Sequence, residues 1–578
     1  MRNRYIVLLG GSPHTPVPDH RQFVDKLKGL GLEARFRIQD ATLFTTRSTA
    51  VLSLHSGAVL LGEVYDQQGH RQRDPACFPR TTSQEALQQH LLEHCWGEYL
   101  LIQPGHDKTR TAITFLRDPS GGVGCAHSFE YGFVASDPAL PLQLGLYPAQ
   151  VDWEFVQHCL TYSHAKTSRT GFANIRELLP GCVLKVTPSS TRAYMAWSPW
   201  RFVSPTQRLR EPAMAALSVR GAITTVIRAM ADTDESLMLQ LSGGLDSSIV
   251  GVSLKNTCAR VYACTAISPL PGSDERPYAK QITDQLGVEL LQAPLDFSRS
   301  GIQFPLPEAS LRPAISPLAY IAAHAMNAAA THARVNAIYS GGGGDTVFGY
   351  LKSAAPAADA YLAAGLARGW ESIIDLTKLH GCTLAKAARL TLRKLFLSPK
   401  PAYKQDCTLL KEALSAPLEL HPWFTAPAGT LPGDRERIFD LAGNQLFAEV
   451  MLRSDGRRVR MPLLAQPVVE TCLRVPSWLW ISDGRNRAIA RSAFSDLLPT
   501  EVLNRRSKGS FMNYNAALYR RNKEAMRRFL LDGRLNSRGL LDPDKLNIFL
   551  DRQLAPRDQS FLRIFDLCMV ENWVRQRG

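Results

Sequence analysis

Between Leu237 and Val250 the chain reads LMLQLSGGLDSSIV. An apolar run suited to a strand enters Ser242-Gly243-Gly244, passes through Asp246, Ser247 and Ser248, and leaves as a second apolar run suited to a helix. A strand that turns through two glycines into a helix is a shape for holding an anion. Gly243 and Gly244 permit positive φ and let backbone N–H groups approach without a Cβ in the way. The helix that follows aims its first N–H groups at the same point, where negative charge is favoured. Ser242, Ser247 and Ser248 add hydroxyls suited to phosphate oxygens. Asp246 would repel a bare phosphate, so it makes sense as a ligand to a bridging Mg²⁺. The stretch lacks the lysine and the spacing of a Walker A loop.

Working outward, the segment after Pro212 alternates strands and helices. Strands are expected near Ser236–Leu241, Arg260–Ile267, Val288–Leu291 and Asn336–Tyr339. Helices are expected from about Ser247, near Asp274–Leu286 and around Ser316–Thr331. Tyr278, Ile282 and Leu286 recur at helical spacing, with Gly287 as the stop. Alternation at this spacing argues for a parallel sheet covered on both faces, and ligands of such sheets sit at the carboxyl ends of the strands. A second glycine-rich stretch, IYSGGGGDTVFGY (Ile338 to Tyr350), also falls at such an end. Four consecutive glycines are costly to order and are expected to let backbone approach a ligand. Asp345 supplies a second carboxylate, and two carboxylates with phosphate oxygens suit Mg²⁺.

Residues 1–200 read differently. YIVLLGG, AVLLGEVY, EYLLIQ, AITFLRDPSGG and CVLKVTP each resemble a strand, most of them bounded by turn residues. This half is expected to be a layered β-rich unit. The Pro- and Arg-rich segment Ser198 to Pro212 is expected to be a linker to the second unit, residues 213–578. A chain of 578 residues suits two or three domains.

Composition bounds the function class. With 45% hydrophobic and 21% charged residues the chain is globular rather than disordered or fibrous. The formal charge of +15 favours acidic partners, though RNRAIAR (Arg485 to Arg491) and NRRSK (Asn504 to Lys508) are the nearest approaches to basic runs. Eleven scattered cysteines without a C-x-x-C point to reduced thiols in a cytoplasmic protein. The uncharged window Pro313 to Ala333 is expected to be a buried helix with a structural His324, not a transmembrane segment.

With these residues in hand the chain resembles the ATP pyrophosphatases, and within them the asparagine synthetase family. SGGLDSS is similar to the family's pyrophosphate-binding loop, and SGGGGDTVFGY sits where the family has S-G-E-G-x-D-E-x-F-G-G-Y. LRSDGRRVRMPLLAQPVVE (Leu452 to Glu470) and LPTEVLNRRSKGSF (Leu498 to Phe511) resemble later family motifs. RDPSG (Arg117 to Gly121) and LLPGCVLKV (Leu178 to Val186) resemble segments of a class II glutamine amidotransferase domain. The implied architecture is α/β: an N-terminal αββα amidotransferase-like domain, then a parallel-sheet ATP-pyrophosphatase domain.

The resemblance implies binding of ATP and Mg²⁺, with Asp246 and Asp345 as metal ligands. It also implies nucleotide contacts from Leu241, Ser242, Gly243, Gly244, Ser247, Ser248, Ala266, Ser340 and Gly341, and charge neutralisation by Lys508. Departures narrow the branch. Such a glutaminase needs cysteine directly after the initiator Met, as nucleophile with its own amine as base, whereas this sequence begins Met1-Arg2-Asn3. Gly342 stands where the family has a glutamate, and Thr346 replaces an acidic residue, so the site is expected to be opened by loss of side chains.

GGGGDTVFGYLKSAAPAADA (Gly341 to Ala360) and GSDERPYA (Gly272 to Ala279) look like segments of lasso-peptide macrolactam synthetases. The expected partners are therefore a precursor peptide and a leader peptidase or leader-recognition protein. Asp375 and Glu371 lie roughly where related enzymes place a helper acid, but solvated helix positions are the favoured reading of both. A small-molecule ligase of the β-lactam or asparagine-synthetase type is the alternative. A tRNA-modifying enzyme would not carry the amidotransferase-like half, so no nucleic acid is expected. A dead binding protein would have lost Asp246, Asp345 or Lys508.

Overall fold

A computed structural model describes residues 3–10, 20–105, 112–270, 272, 274–295, 310–313, 317–350, 352–397, 403–451, 457–506, 511–555 and 557–577. The first unit is built from two six-stranded antiparallel sheets packed face to face. All five strands read from its sequence are present, at Tyr5–Leu9, Val59–Asp66, Cys95–Pro104, Ile113–Arg117 and Cys182–Thr187. Their alternation assigns the layers. Tyr5 and Val7 join Leu61, Leu100, Phe115 and Leu184 between the sheets. Ile6 points outward to Phe23 and Leu27 of the helix His20–Gly29. On the other outer face Leu60, Leu101 and Leu116 meet Leu87 and Leu91 of the helix Gln84–His94. Helix, sheet, sheet, helix is the αββα order expected.

The second unit holds a five-stranded parallel sheet. Its spatial order is Leu290–Pro294, Arg260–Ile267, Ser236–Gln240, Ala337–Ser340, Arg458–Arg460. Leu237 and Leu239 face the helices Pro212–Ala231, Leu245–Ser253 and Arg276–Leu286. Met238 faces Met326 and Ala330 of the helix Pro317–His332. That last helix buries only part of its surface, and His324 on it is exposed, so neither the burial nor the structural histidine expected from sequence holds. Gly287 ends its helix with φ 68°, as the sequence implied. Among the described residues one helix, Pro212–Ala231, is long and apolar enough to cross a membrane; here Val219, Ile223, Val226, Ile227 and Met230 lie in the core. All eleven cysteines are free thiols.

Ser198 to Pro212 is not a loose linker. Trp200, Phe202 and Val203 are buried in one short 3₁₀ turn, and the neighbouring Trp197 donates its indole N–H to Glu470 at 2.8 Å. The aromatic residues outweigh the Pro and Arg content, because burying them is worth more than solvating the segment.

The two units are also clasped by ions. The edge strand Arg458–Arg460 enters the first unit, where buried Arg460 pairs with Glu63 and Glu98 at 2.6 Å each and with Asp234 at 3.3 Å. Glu177 gathers Arg117, Lys166 and Arg312 within 2.8 Å. Near the other end of the chain, Trp573 packs on Phe172 with ring centres 5.1 Å apart and donates to the Ser310 carbonyl.

Candidate active site

The strand order reverses at Ser236–Gln240: its chain successor Arg260–Ile267 lies on one side and Ala337–Ser340 on the other. At such a switch point the two following loops diverge and leave a crevice at the carboxyl ends. The loops here are Ser242–Ser247 and Gly341–Asp345, and a cavity of about 480 Å³ lies between them. Leu241, Ser242, Gly244, Asp246, Ser247, Ala266, Ser340, Gly341 and Asp345 all line it. The volume is that of a site for a nucleotide-sized ligand.

The first loop is held by its own hydroxyls. Ser247 Oγ accepts from Ser242 N at 3.2 Å and donates to the Gly244 carbonyl at 3.2 Å, while Gly244 N reaches Ser242 Oγ at 3.4 Å. Gly243 has φ 63°, and a Cβ there would stand 2.5 Å from Tyr278 Cβ. Gly243 therefore seats the loop on the next helix rather than lining the cavity. Gly244 differs: the one atom near its absent Cβ is Ser242 Oγ at 3.3 Å, so its backbone opens on the crevice at the start of the helix Leu245–Ser253. Ser248, expected to contact phosphate, is fully buried, and its Oγ has no hydrogen-bond partner. One residue along the helix turns it 100° from Ser247, into the core.

The glycine run of the second loop lines the cavity through Gly341 and Gly342 and also serves packing, a use the sequence did not show. A Cβ on Gly341 would lie 2.6 Å from Ser247 N, on Gly343 2.4 Å from Leu464, and on Gly344 2.6 Å from Asp246 Cβ. Gly341 and Gly344 bring the two loops against each other. Gly342 lines the cavity, and Phe447 Cε1 stands 2.7 Å from where its Cβ would be, with Met461 Sδ at 3.4 Å.

The sequence reading missed the cationic wall. Arg485, Arg487, Arg491, Arg505 and Arg506 line the cavity, with Lys378 and His380. Nη1 of Arg487 lies between the carboxylates of Asp246, at 2.9 Å, and Asp345, at 2.8 Å. Its guanidinium also sits 5.5 Å over the Tyr350 ring. Arg505 donates to the Gly243 carbonyl at 3.0 Å and to Glu275 at 2.9 Å, and stacks 4.1 Å over Tyr278. Arg491 is half-buried beside Arg487 and Arg485; desolvation first, then those two charges, push it down to about 10. Crowded cations of this kind favour a polyanion. Their one sequence signal was the pair of basic runs, which periodicity alone cannot place.

Other expected residues divide. Asp375 does not line the cavity; it accepts the Gly484 N–H at 3.3 Å and so braces the turn that carries Arg485. Glu371 is exposed and pairs with Arg368 at 2.7 Å. Lys508 lies outside the described residues. Asp246 and Asp345 offer oxygens close enough for one cation to bridge, which fits a Mg²⁺ ion. Among the described residues no group of three or more His, Cys, Asp or Glu could hold a metal alone, so the remaining ligands would come from phosphate.

A second cavity, of about 160 Å³, lies where the two units meet, lined by Arg4, Glu98, Arg117, Cys125, Lys166 and Glu177 of the first and by Gln445, Glu449 and Arg458 of the second. Cys125 is the one cysteine on its wall, and burial pushes its thiol up to about 11. That thiol stays protonated and is no nucleophile at neutral pH.

Comparison with known proteins now adds to the geometry. A profile of the asparagine synthase family matches residues 218–575. The chain is similar to the glutamine-hydrolysing asparagine synthetase 1 of Bacillus subtilis (strain 168), at 22% identity over 387 residues, covering 62% of this chain and 59% of that relative.

Proposed function

The chain belongs to the asparagine synthase family, and from that premise we propose that it is an ATP-dependent, AMP-forming amide ligase acting on a peptide, a lasso-peptide macrolactam synthetase. The observation that carries the reading is the crevice at the switch point, where Gly244, Asp246, Asp345 and the arginine wall converge.

In the proposed reaction a side-chain carboxylate oxygen of an Asp or Glu in the precursor peptide attacks the α-phosphorus of ATP. The bond to the bridging oxygen breaks and pyrophosphate leaves. The peptide's α-amine then attacks the acyl carbon, AMP leaves with its oxygen, the nitrogen loses a proton, and an isopeptide ring closes. Magnesium, when bound by Asp246 and Asp345, would supply charge neutralisation at the phosphates. Gly244 N–H and the helix start behind it would face the same phosphates. Arg487, Arg491 and Arg505 would offset the charge that develops on pyrophosphate as it departs, which is where fixed positive groups lower a barrier most. Leu241, Ala266, Ser340 and Gly341 would form the adenosine side, and Lys508 would add a cation at the reacting centre. Ring closure would draw mainly on holding amine and acyl carbon together.

Purified protein given ATP, Mg²⁺ and its precursor peptide is expected to yield AMP, pyrophosphate and a product lighter by one water. Formation of ADP, or no nucleotide consumption, would refute the proposal; product formation from a small amino acid instead of a peptide would favour the β-lactam type.

A further inference from the structure

Among the described residues, eight of the eighteen large apolar side chains that stand exposed fall between Leu362 and Leu397. This short stretch forms three consecutive helices, Ala355–Ala364, Leu366–His380 and Leu384–Phe396, with a small core of their own around Ala357, Ile373, Leu376 and Ala387. On the middle helix Leu366, Trp370 and Ile374 are 79%, 46% and 36% exposed. They recur every four residues, so they form one stripe along one face. The next member of that series is Lys378, which lines the nucleotide cavity with Leu379 and His380. The stripe thus runs about 18 Å along the helix and ends at the crevice. The core face of the same helix, Gly369, Ser372, Ile373 and Leu376, is already satisfied, so the stripe does not pack the fold.

The charge on this helix and on the next one selects the occupant. Lys378, Lys386, Arg389 and Arg393 have no ion-pair partner among the described residues. Against them stand Glu371, already paired with Arg368, and Asp375, which braces the Gly484 turn. Exposed Leu and Trp on a helix that continues into unpaired Lys378, followed by a helix with three more unpaired cations, complement a segment that is both acidic and apolar.

We propose that the helix Leu366–His380 is the docking track for an acidic, apolar segment of the peptide substrate, which it delivers to the cavity at Lys378. The inference rests on the reading that the substrate is a peptide. It adds where, outside the nucleotide site, that peptide is held.

The test reads binding without ATP, so its failure is separate from failure of the ligase reading, which nucleotide products decide. A short fluorescein-labelled peptide rich in Glu, Leu and Phe is titrated with the full chain and followed by anisotropy. Its counterpart with Lys for every Glu serves as control, as do vesicles of phosphatidylcholine with phosphatidylglycerol. The acidic peptide is expected to bind at least about tenfold more tightly than the basic one, and less tightly as salt is raised. Trp370→Ala and Leu366→Asp are each expected to weaken it about tenfold while leaving ATP affinity unchanged. Both sites are exposed, so the variants keep the fold. Equal binding of the two peptides, no binding of the acidic one, or no effect of either variant overturns the proposal. So does preferential binding to the vesicles, or a dimer in light scattering that the Trp370→Ala change dissociates.

Discussion

One guanidinium nitrogen of Arg487 stands 2.9 Å from a carboxylate oxygen of Asp246, a residue 241 positions earlier in the chain. The same nitrogen reaches Asp345 at 2.8 Å. A divalent cation that used those oxygens would compete with this side chain for them. Arg487→Gln is therefore expected to do two opposite things. ATP affinity without magnesium should fall roughly tenfold, the size of one charge-assisted hydrogen bond. The magnesium concentration needed for half-maximal nucleotide binding should fall as well, since a competitor is gone. Calorimetric titration across a magnesium series measures both; an unchanged magnesium dependence contradicts the competition.

Asp246→Asn and Asp345→Asn should each lower peptide-dependent pyrophosphate release by about 100-fold or more. Neither is a large stability lesion, because the shape is kept and Asp345 is only half-buried. A coupled pyrophosphate assay at saturating ATP checks this, and wild-type rates in either variant would remove these residues from the metal site.

The two glycines of the first loop should separate folding from binding. At Gly243, with φ 63° and Tyr278 Cβ 2.5 Å from where its Cβ would lie, alanine is expected to cost about 1–3 kcal/mol and lower the thermal midpoint. At Gly244 alanine meets one side-chain atom at 3.3 Å, so the midpoint should hold while ATP affinity drops. Thermal melts beside nucleotide titrations distinguish the pair; the reverse pattern would mean that the loop is seated differently.

Arg460 is the hub of a buried ion cluster, and Arg460→Met should cost about 3–5 kcal/mol by stranding Glu63, Glu98 and Asp234. The pH dependence has a defined sign. Burial alone would raise the Glu63 carboxyl, but Arg460 and Arg458 outweigh it and hold it at about 2, below its ordinary 4.5. The folded value is the lower one, so its stabilisation is full above about 4.5 and is lost as pH falls toward 2. Melting midpoints of the wild type should decline through that window, and the decline should be shallower in the variant.

The sequence made the two loops legible because glycine and carboxylate at a strand end have few other uses, and both proved to flank one crevice. It could not show that Gly341 and Gly344 also serve loop-on-loop contact, since that depends on which strands are neighbours. The wall of Arg485, Arg487, Arg491 and Arg505 was unreadable for the same reason: these side chains come from segments more than a hundred residues past the second loop and look like ordinary surface charge. Ser248 was misjudged by one helical step. Residues 198–212 misled through proline and arginine, when Trp197, Trp200 and Phe202 were the better guide to where that segment lies.

The stacking of Trp573 on Phe172 has a consequence for how the polypeptide is made. The ring fills the space at Gly171, where a Cβ would come within 2.4 Å of it, so the amino-terminal sheet is completed by a helix that leaves the ribosome hundreds of residues later. Until then its apolar outer surface, Phe133 and Phe172 included, is bare. The covering of that surface therefore comes late in the order of synthesis, and the interval in which it waits is when a chaperone has most to shield.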